Sequence, residues 1–139
     1  MSESDPHQRL LISTKAILHR EGRVLLVKGS RSEWDLPGGK LQHGEDLEGC
    51  LARELGEELG VSIDTAEVVG ALMHHFHDDI VVIVYDCGSP NEQDFLLSDE
   101  HSDAGWFGLD QMLSLNIPEN YRQLIASFFR GRTGSAADM

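Results

Sequence analysis

Short apolar runs separated by polar turns predict a chain rich in β-strands that pair as two hairpins. The dipeptide Glu21-Gly22 supplies the turn of the first hairpin, and the polar stretch 77–79 supplies that of the second. The predicted strands are residues 10–18, 23–28, 68–76 and 80–87, followed by a shorter one at 104–107. The apolar run 80–84 suits either a central strand or a contact between two copies of the chain, so a homodimer is an open alternative.

Apolar residues at helical spacing mark the remaining elements. The predicted helices are residues 46–59, 109–115 and 119–129. Asp46 is a suitable N-cap for the first helix, and Gly60 is a suitable C-terminal stop. Strands outnumber helices and do not alternate strictly with them, which favours an α/β fold other than a doubly wound sheet.

Length and composition set the class of protein. The 139 residues, 40% hydrophobic and 25% charged, suit one soluble domain with flexible tails at 1–8 and 132–139. No apolar run is as long as a membrane span, and the first residues lack the features of a signal peptide. Cys50 and Cys87 have no metal-ligand spacing, so reduced thiols and a cytoplasmic location are expected.

The net charge of −13 disfavours nucleic acids as partners, because their binding gains most of its affinity from neutralised phosphates. A small phosphorylated substrate remains compatible with this charge. Bound metal ions reverse the sign of the local field, so an acidic chain can hold an anionic substrate through them.

Three carboxylates concentrate this acidity on the first predicted helix. Glu54, Glu57 and Glu58 stand at positions i, i+3 and i+4, so they share one face of the helix and repel one another. A divalent cation would compensate for this repulsion, and an all-oxygen ligand set favours Mg²⁺ or Mn²⁺ over zinc. The alternative is a solvated acidic face with no ligand.

The surrounding residues resemble a family signature. The pattern G-x5-E-x7-R-E-U-x-E-E-x-G-U, in which U is a bulky aliphatic residue, is that of the Nudix hydrolases. The chain matches it at every defined position, through Gly39, Glu45, Arg53, Glu54, Leu55, Glu57, Glu58, Gly60 and Val61. A chance match is on the order of 10⁻⁸ per starting position. The preceding stretch 34–38 is also similar to the usual lead-in of that family.

This resemblance implies a fold and a reaction. The fold is the α/β/α Nudix sandwich with a mixed β-sheet. The reaction is metal-dependent hydrolysis of a diphosphate bond in a nucleoside diphosphate linked to another moiety. A competing hypothesis is a Nudix-like module that senses a nucleotide without cleaving it, although the intact set of acids favours the enzyme.

The resemblance also implies roles for individual residues. Glu54, Glu57 and Glu58 match the metal ligands of the family, and the carbonyl of Gly39 is a further ligand candidate. Arg53 is expected to hold the geometry of the cluster or to pair with Glu45. The general base is Glu54 or a glutamate on a later loop, and the residue that matches the later one is Glu100.

Substrate contacts are less constrained. Lys28, Arg31 and Lys40 are candidates for phosphate binding. Trp34 either stacks on a base or packs beneath its loop, with packing favoured. His74 and His75 point to opposite faces of a strand, so they cannot chelate a metal together. His77 is adjacent to the turn of the second hairpin and is expected to be a surface residue.

The substrate itself is left open. Some Nudix subfamilies carry a proline or a tyrosine about 15 or 16 residues after the motif, but this chain has Phe76 and His77 there. Neither ADP-ribose nor a dinucleoside polyphosphate is therefore indicated. Pyrophosphohydrolysis of a nucleoside triphosphate remains as the residual hypothesis.

Overall fold

The computed structural model describes residues 6–7, 9–29, 32–75, 79–99 and 101–137. Its elements in chain order are β1 (Leu11–Arg20), β2 (Arg23–Gly29), β3 (Trp34–Asp35), β4 (Gly38–Lys40), α1 (Leu47–Leu59), β5 (Glu67–His75), β6 (Asp79–Gly88), β7 (His101–Phe107), α2 (Leu109–Met112) and α3 (Glu119–Ala137). No helix among the described residues is both long and apolar enough to cross a membrane.

The first predicted hairpin is confirmed and divides the sheet. β1 and β2 pair antiparallel beside the turn, where His19 faces Val24. Glu21 and Gly22 both have positive φ, 52° and 77°, as a two-residue turn between twisted strands requires. Beyond the turn the strands diverge: β2 pairs with β7 and β3, and β1 pairs with β6 on one edge and with β4 on the other.

The second predicted hairpin is also confirmed, as β5 and β6 pair antiparallel. β6 runs parallel to β1, with Leu11 facing Ile80, so the sheet is mixed. The main strand order is β3-β2-β1-β6-β5, which places β6 inside the sheet. The apolar run 80–84 is thus a central strand, and a homodimer stays a prediction.

Helices cover both faces of this sheet. Successive side chains of β1 point to opposite faces, so this one strand contributes to the packing on both sides. Ala16 and Leu18 pack with α1, in a cluster that includes Leu51 and Leu55. Ile17 packs on the other face, in a second cluster built with residues of α2 and α3. The predicted α/β/α arrangement with a mixed sheet is confirmed.

Two short strands and several element boundaries differ from the prediction, including that of α2, which ends at Met112 and not at residue 115. β3 and β4 were not predicted, because runs of two and three residues are too short to show alternation. β7 begins at His101, three residues before the predicted start. α3 continues past the predicted end at residue 129 to Ala137. Arg132 lies over the ring of Phe128 and 3.7 Å from Asp86 of β6, contacts that extend the helix beyond its local propensity.

Candidate active site

α1 presents its acids toward β4 because its other side is buried. Asp46 caps the helix by accepting a hydrogen bond from the Gly49 N–H at 2.7 Å, and Gly60 ends it with φ 64°. Leu51, Leu55 and Leu59 are buried along the apolar side. This packing fixes the rotation of the helix, so its acidic side faces the glycines of β4.

The two glycines of β4 allow backbone and carboxylates to meet closely. A Cβ at Gly38, whose φ is 141°, would lie 2.0 Å from the backbone oxygen of Thr14. A Cβ at Gly39 would lie between 2.4 and 2.6 Å from the carboxylate atoms of Glu54. The Gly38 N–H donates to Glu58 Oε2 at 3.3 Å. Glycine at both positions is therefore a steric requirement of the site.

Arg53 binds the acids together. Its Nη1 donates to Oε1 of Glu54 and of Glu57, each at 3.0 Å. Its Nη2 donates to Glu45 at 3.0 Å and to the Lys40 carbonyl at 3.2 Å, so Arg53 pairs with Glu45 as well as with the acids of α1. The guanidinium therefore offsets part of the repulsion among these acids, and the predicted divalent cation remains a prediction.

The acids differ in environment. The hydrogen bond from Arg53 lowers the pKa of Glu45 to about 2. Burial raises the pKa of Glu54, whose side chain is 14% exposed. Glu58 is 5% exposed and lies 3.2 Å from Nε2 of His101, whereas Glu57 is 60% exposed. Two carboxylates are thus held against the protein, and the third is bonded to Arg53 but largely exposed to solvent.

The donor set fits a hard divalent cation. Three carboxylates and the neighbouring Gly39 carbonyl supply the oxygen ligands that Mg²⁺ and Mn²⁺ prefer. Among the described residues, no group of three or more His, Cys, Asp or Glu side chains is arranged to hold a metal as it stands. Arg53 engages Glu54 and Glu57 instead. Since Glu57 is exposed, a cation could recruit it by a change of side-chain rotamer.

A cavity of about 170 Å³ adjoins the acidic cluster, which consists of Glu54, Glu57 and Glu58, at Gly39. It lies on the face of the sheet that carries α3, and its polar walls include Lys15, Asp35, His74 and Tyr121. Lys15 Nζ lies 3.1 Å from Asp35 Oδ2. The cavity offers space for part of a substrate beside the acids.

A larger open depression of about 690 Å³ lies at the other end of β1. Arg20 forms part of its wall but donates to the carbonyls of Pro90 and Gln93 at 2.8 and 2.9 Å. These bonds anchor the loop after β6. This depression contains no member of the acidic cluster.

Several other predicted site residues have defined positions. Trp34 packs in the core, as favoured, with the Phe107 ring 4.9 Å from its centroid and the Lys28 ammonium 5.3 Å away, which leaves little surface for a stacked base. Lys40 is exposed at the rim of the cavity. Arg31 and Glu100 lie outside the described residues.

The histidines separate as expected. His74 lies toward the cavity, with its ring 6.1 Å from that of Tyr121. His75 is exposed and lies 2.8 Å from Asp79. The two do not form a joint chelate, and His77 lies outside the described residues.

Sequence reasoning missed three residues of the site. Lys15 and His101 lie outside the family signature, Asp35 lies only in its lead-in, and each reaches the site through long-range strand pairing. Lys15 left one further signal, because it is a single charge inside the otherwise uncharged stretch 10–18.

Comparison with known proteins extends these observations. The family model for the NUDIX domain matches residues 10–128. A curated relative from Pseudomonas aeruginosa, the NAD-capped RNA hydrolase NudC, is 29% identical over 160 aligned positions, which cover 96% of this chain. The chain spans only 54% of that relative's length. The nucleoside triphosphatase NudI of an Enterobacter species is 28% identical over 127 positions, 76% of this chain and 87% of the relative.

The fold has close counterparts among solved structures. The crystal structure of a MutT protein from Methanosarcina mazei Go1 superposes with a TM-score of 0.81 at 29% identity. The match covers 92% of this chain and 99% of the other. The mixed sheet between helices is therefore the architecture that these proteins share.

Proposed function

Because the chain belongs to the Nudix hydrolase family, we propose that it hydrolyses a diphosphate bond in a nucleoside diphosphate derivative with the help of Mg²⁺ or Mn²⁺. The observation that carries this proposal is the contact of Glu54 and Glu58 with the backbone of Gly38 and Gly39. This contact brings Glu54 and Glu58 to one point of the chain, where the Gly39 carbonyl is also available.

Each residue of the cluster has a part in the proposed site. Glu54, Glu57, Glu58 and the Gly39 carbonyl would hold the cation, which when bound polarises the phosphoryl oxygens. Arg53 keeps Glu54 and Glu57 side by side before the cation binds.

A general base takes the proton from the attacking water. Glu54 is one candidate for this base, because its carboxylate lies against the Gly39 backbone inside the acidic cluster. Glu100 remains the other candidate. A Glu100→Gln variant separates them: a large loss of turnover with unchanged metal dependence assigns the base to Glu100, and little effect assigns it to Glu54.

The substrate we propose is a nucleoside triphosphate, in line with the name of the NudI relative. NudC is named for NAD-capped RNA, but the net charge of −13 supplies little attraction for a nucleic acid chain. The expectation of no nucleic-acid partner therefore stays a prediction, and capped RNA belongs among the substrates to be tried.

The decisive experiment is an activity screen with purified protein. Nucleoside triphosphates, ADP-ribose, dinucleoside polyphosphates, NAD and NAD-capped RNA are offered with Mg²⁺, with Mn²⁺ and with EDTA. We expect release of pyrophosphate or a nucleotide monophosphate only with the metals. Binding without turnover across the whole panel would overturn the proposal in favour of a nucleotide-sensing module.

A further inference from the structure

Lys15 is a positively charged residue next to the acidic cluster, and it is not part of the motif. The neighbouring Thr14 hydroxyl faces α1 and donates to Cys50 Sγ at 3.3 Å. Since side chains alternate along a strand, Lys15 points to the other face, where it lines the 170 Å³ cavity. Only 13% of its side chain is exposed.

The ammonium of Lys15 has unused donor capacity. It has three N–H groups, and one is directed at Asp35 Oδ2, 3.1 Å away. Within the described ranges, Asp35 is its single hydrogen-bond partner. The remaining two N–H groups are therefore available to water or to an acceptor that enters the cavity.

The surrounding charges keep Lys15 protonated. Burial lowers the pKa of Lys15, but the charges of Asp35, Glu58 and Glu54 together raise it above its usual value. Lys15 is paired with Gly38 of β4, whose N–H donates to Glu58, and it lines the same cavity as Gly39. A cation at this position faces the cavity from beside the reaction centre.

We propose that the Lys15 ammonium binds a phosphoryl oxygen of the diphosphate substrate from the cavity side of Gly39. This inference rests on the proposed hydrolase function. Lys15 would then stabilise the negative charge that develops on the phosphate oxygens in the transition state, as a fixed point charge with its counterion already in place. Asp35 is a positioning residue, because it holds the ammonium without touching the substrate.

The competing explanation is that Lys15 only neutralises Asp35. Four proteins separate the two: wild type, Lys15→Met, Asp35→Asn and the double variant. Methionine keeps the length of the side chain and removes its charge. The double variant contains neither charge, so it also removes any folding penalty from an unpaired Asp35.

We expect Lys15→Met to lower kcat/KM by about 100-fold, as loss of one transition-state donor does. The double variant should stay equally low, while Asp35→Asn alone should retain most of the turnover. Wild-type turnover in Lys15→Met, or its recovery in the double variant, would overturn the proposal. Arg23→Met is the matched control. Arg23 is exposed beside the turn between β1 and β2, and its replacement removes one positive charge, as Lys15→Met does.

A binding measurement gives a readout independent of turnover. Isothermal titration with methylenediphosphonate and Mg²⁺ reports diphosphate affinity without hydrolysis. We expect Lys15→Met to weaken this affinity about tenfold, the effect of one charge-assisted hydrogen bond, and Arg23→Met to leave it unchanged. Equal affinity in wild type and Lys15→Met would overturn the Lys15 proposal. A wild type that binds the probe but cleaves no substrate would instead overturn the hydrolase function.

Discussion

The two cations that flank β4 are used in opposite ways. Arg53, on α1, directs its guanidinium at Glu45, Glu54 and Glu57 and at one carbonyl, so its donors serve the protein. Lys15, on β1, has a single carboxylate partner and lines a cavity. The planar fork of arginine suits several carboxylates at once, whereas the ammonium of lysine suits one oxygen at a time.

This contrast separates the part of the site that holds shape from the part that is open to a ligand. The fixed spacing of a motif identifies the residues that hold the shape of the site, because the side chains of one helix must pack and pair with each other. The residues that face a ligand depend on what the cavity accepts, and no fixed spacing along the chain identifies them. The following substitutions probe this contrast, beginning with the largest expected effect.

Glu58→Gln tests whether the buried acid is more than a counterion for its neighbours. Glutamine keeps an oxygen for the Gly38 N–H but removes the charge, so turnover should fall about 1000-fold and the Mg²⁺ concentration for half activity should rise. Steady-state kinetics against metal concentration measures both. Glu67→Gln, an equal change of charge at an exposed position of β5, is the control. Unchanged metal dependence would mean that the acids of α1 form a solvated acidic face and not a metal site.

Gly39→Ala tests whether the position of Glu54 matters. The new Cβ would overlap the Glu54 carboxylate, which can swing away at little cost in stability, so turnover should fall about 100-fold while the melting temperature holds. Gly38→Ala is the informative partner. Its Cβ would meet the backbone of Thr14, and the melting temperature should fall sharply instead. Equal melting temperatures in the two variants would contradict the view that Gly39 positions Glu54 whereas Gly38 is needed for the fold.

Arg53→Lys tests whether the charge or the fork shape of the guanidinium matters. Lysine keeps the charge but cannot reach all three carboxylates, so we expect about tenfold lower turnover and about 1 kcal/mol less unfolding free energy in EDTA. Urea denaturation and kinetics measure these quantities. Wild-type values in both would show that the acids need only a nearby positive charge.

Glu45→Gln has the smallest expected effect, and that effect depends on pH. The pKa of Glu45 is about 2 in the folded chain and 4.5 ordinarily, so ionised Glu45 stabilises the fold above pH 4.5. This contribution is lost as the pH falls toward 2. The difference in melting temperature between wild type and variant should therefore be largest near neutral pH and shrink in acid. A difference that stays constant with pH would assign the effect to packing.

Local spacing was enough to predict the motif helix and its caps, and the family signature implied the pairing with Glu45 as one of two roles for Arg53. Those contacts lie within one helix and the loop before it, where sequence separation corresponds to distance. The two hairpins were predictable for the same reason. The exact ends of α3 and β7 were not, because contacts with other elements determine them.

The cavity side of the site could not be predicted. Lys15 and Asp35 are twenty residues apart and meet only because β3 and β4 return beside the first hairpin. His101 reaches Glu58 across forty-three positions through the pairing of β7 with β2. Such contacts depend on strand order, which apolar periodicity alone does not specify.

The parallel pairing of β1 with β6 also has a kinetic consequence. Leu11 meets Ile80 only after the intervening chain has closed into a loop, and closure of a long loop is slow compared with hairpin formation. β4 lies on the opposite edge of β1, and its glycines meet the acids only when that strand is in place. Each hairpin can form early, but the proposed catalytic centre requires both halves. The proposed hydrolase activity should therefore return with the slowest phase of refolding.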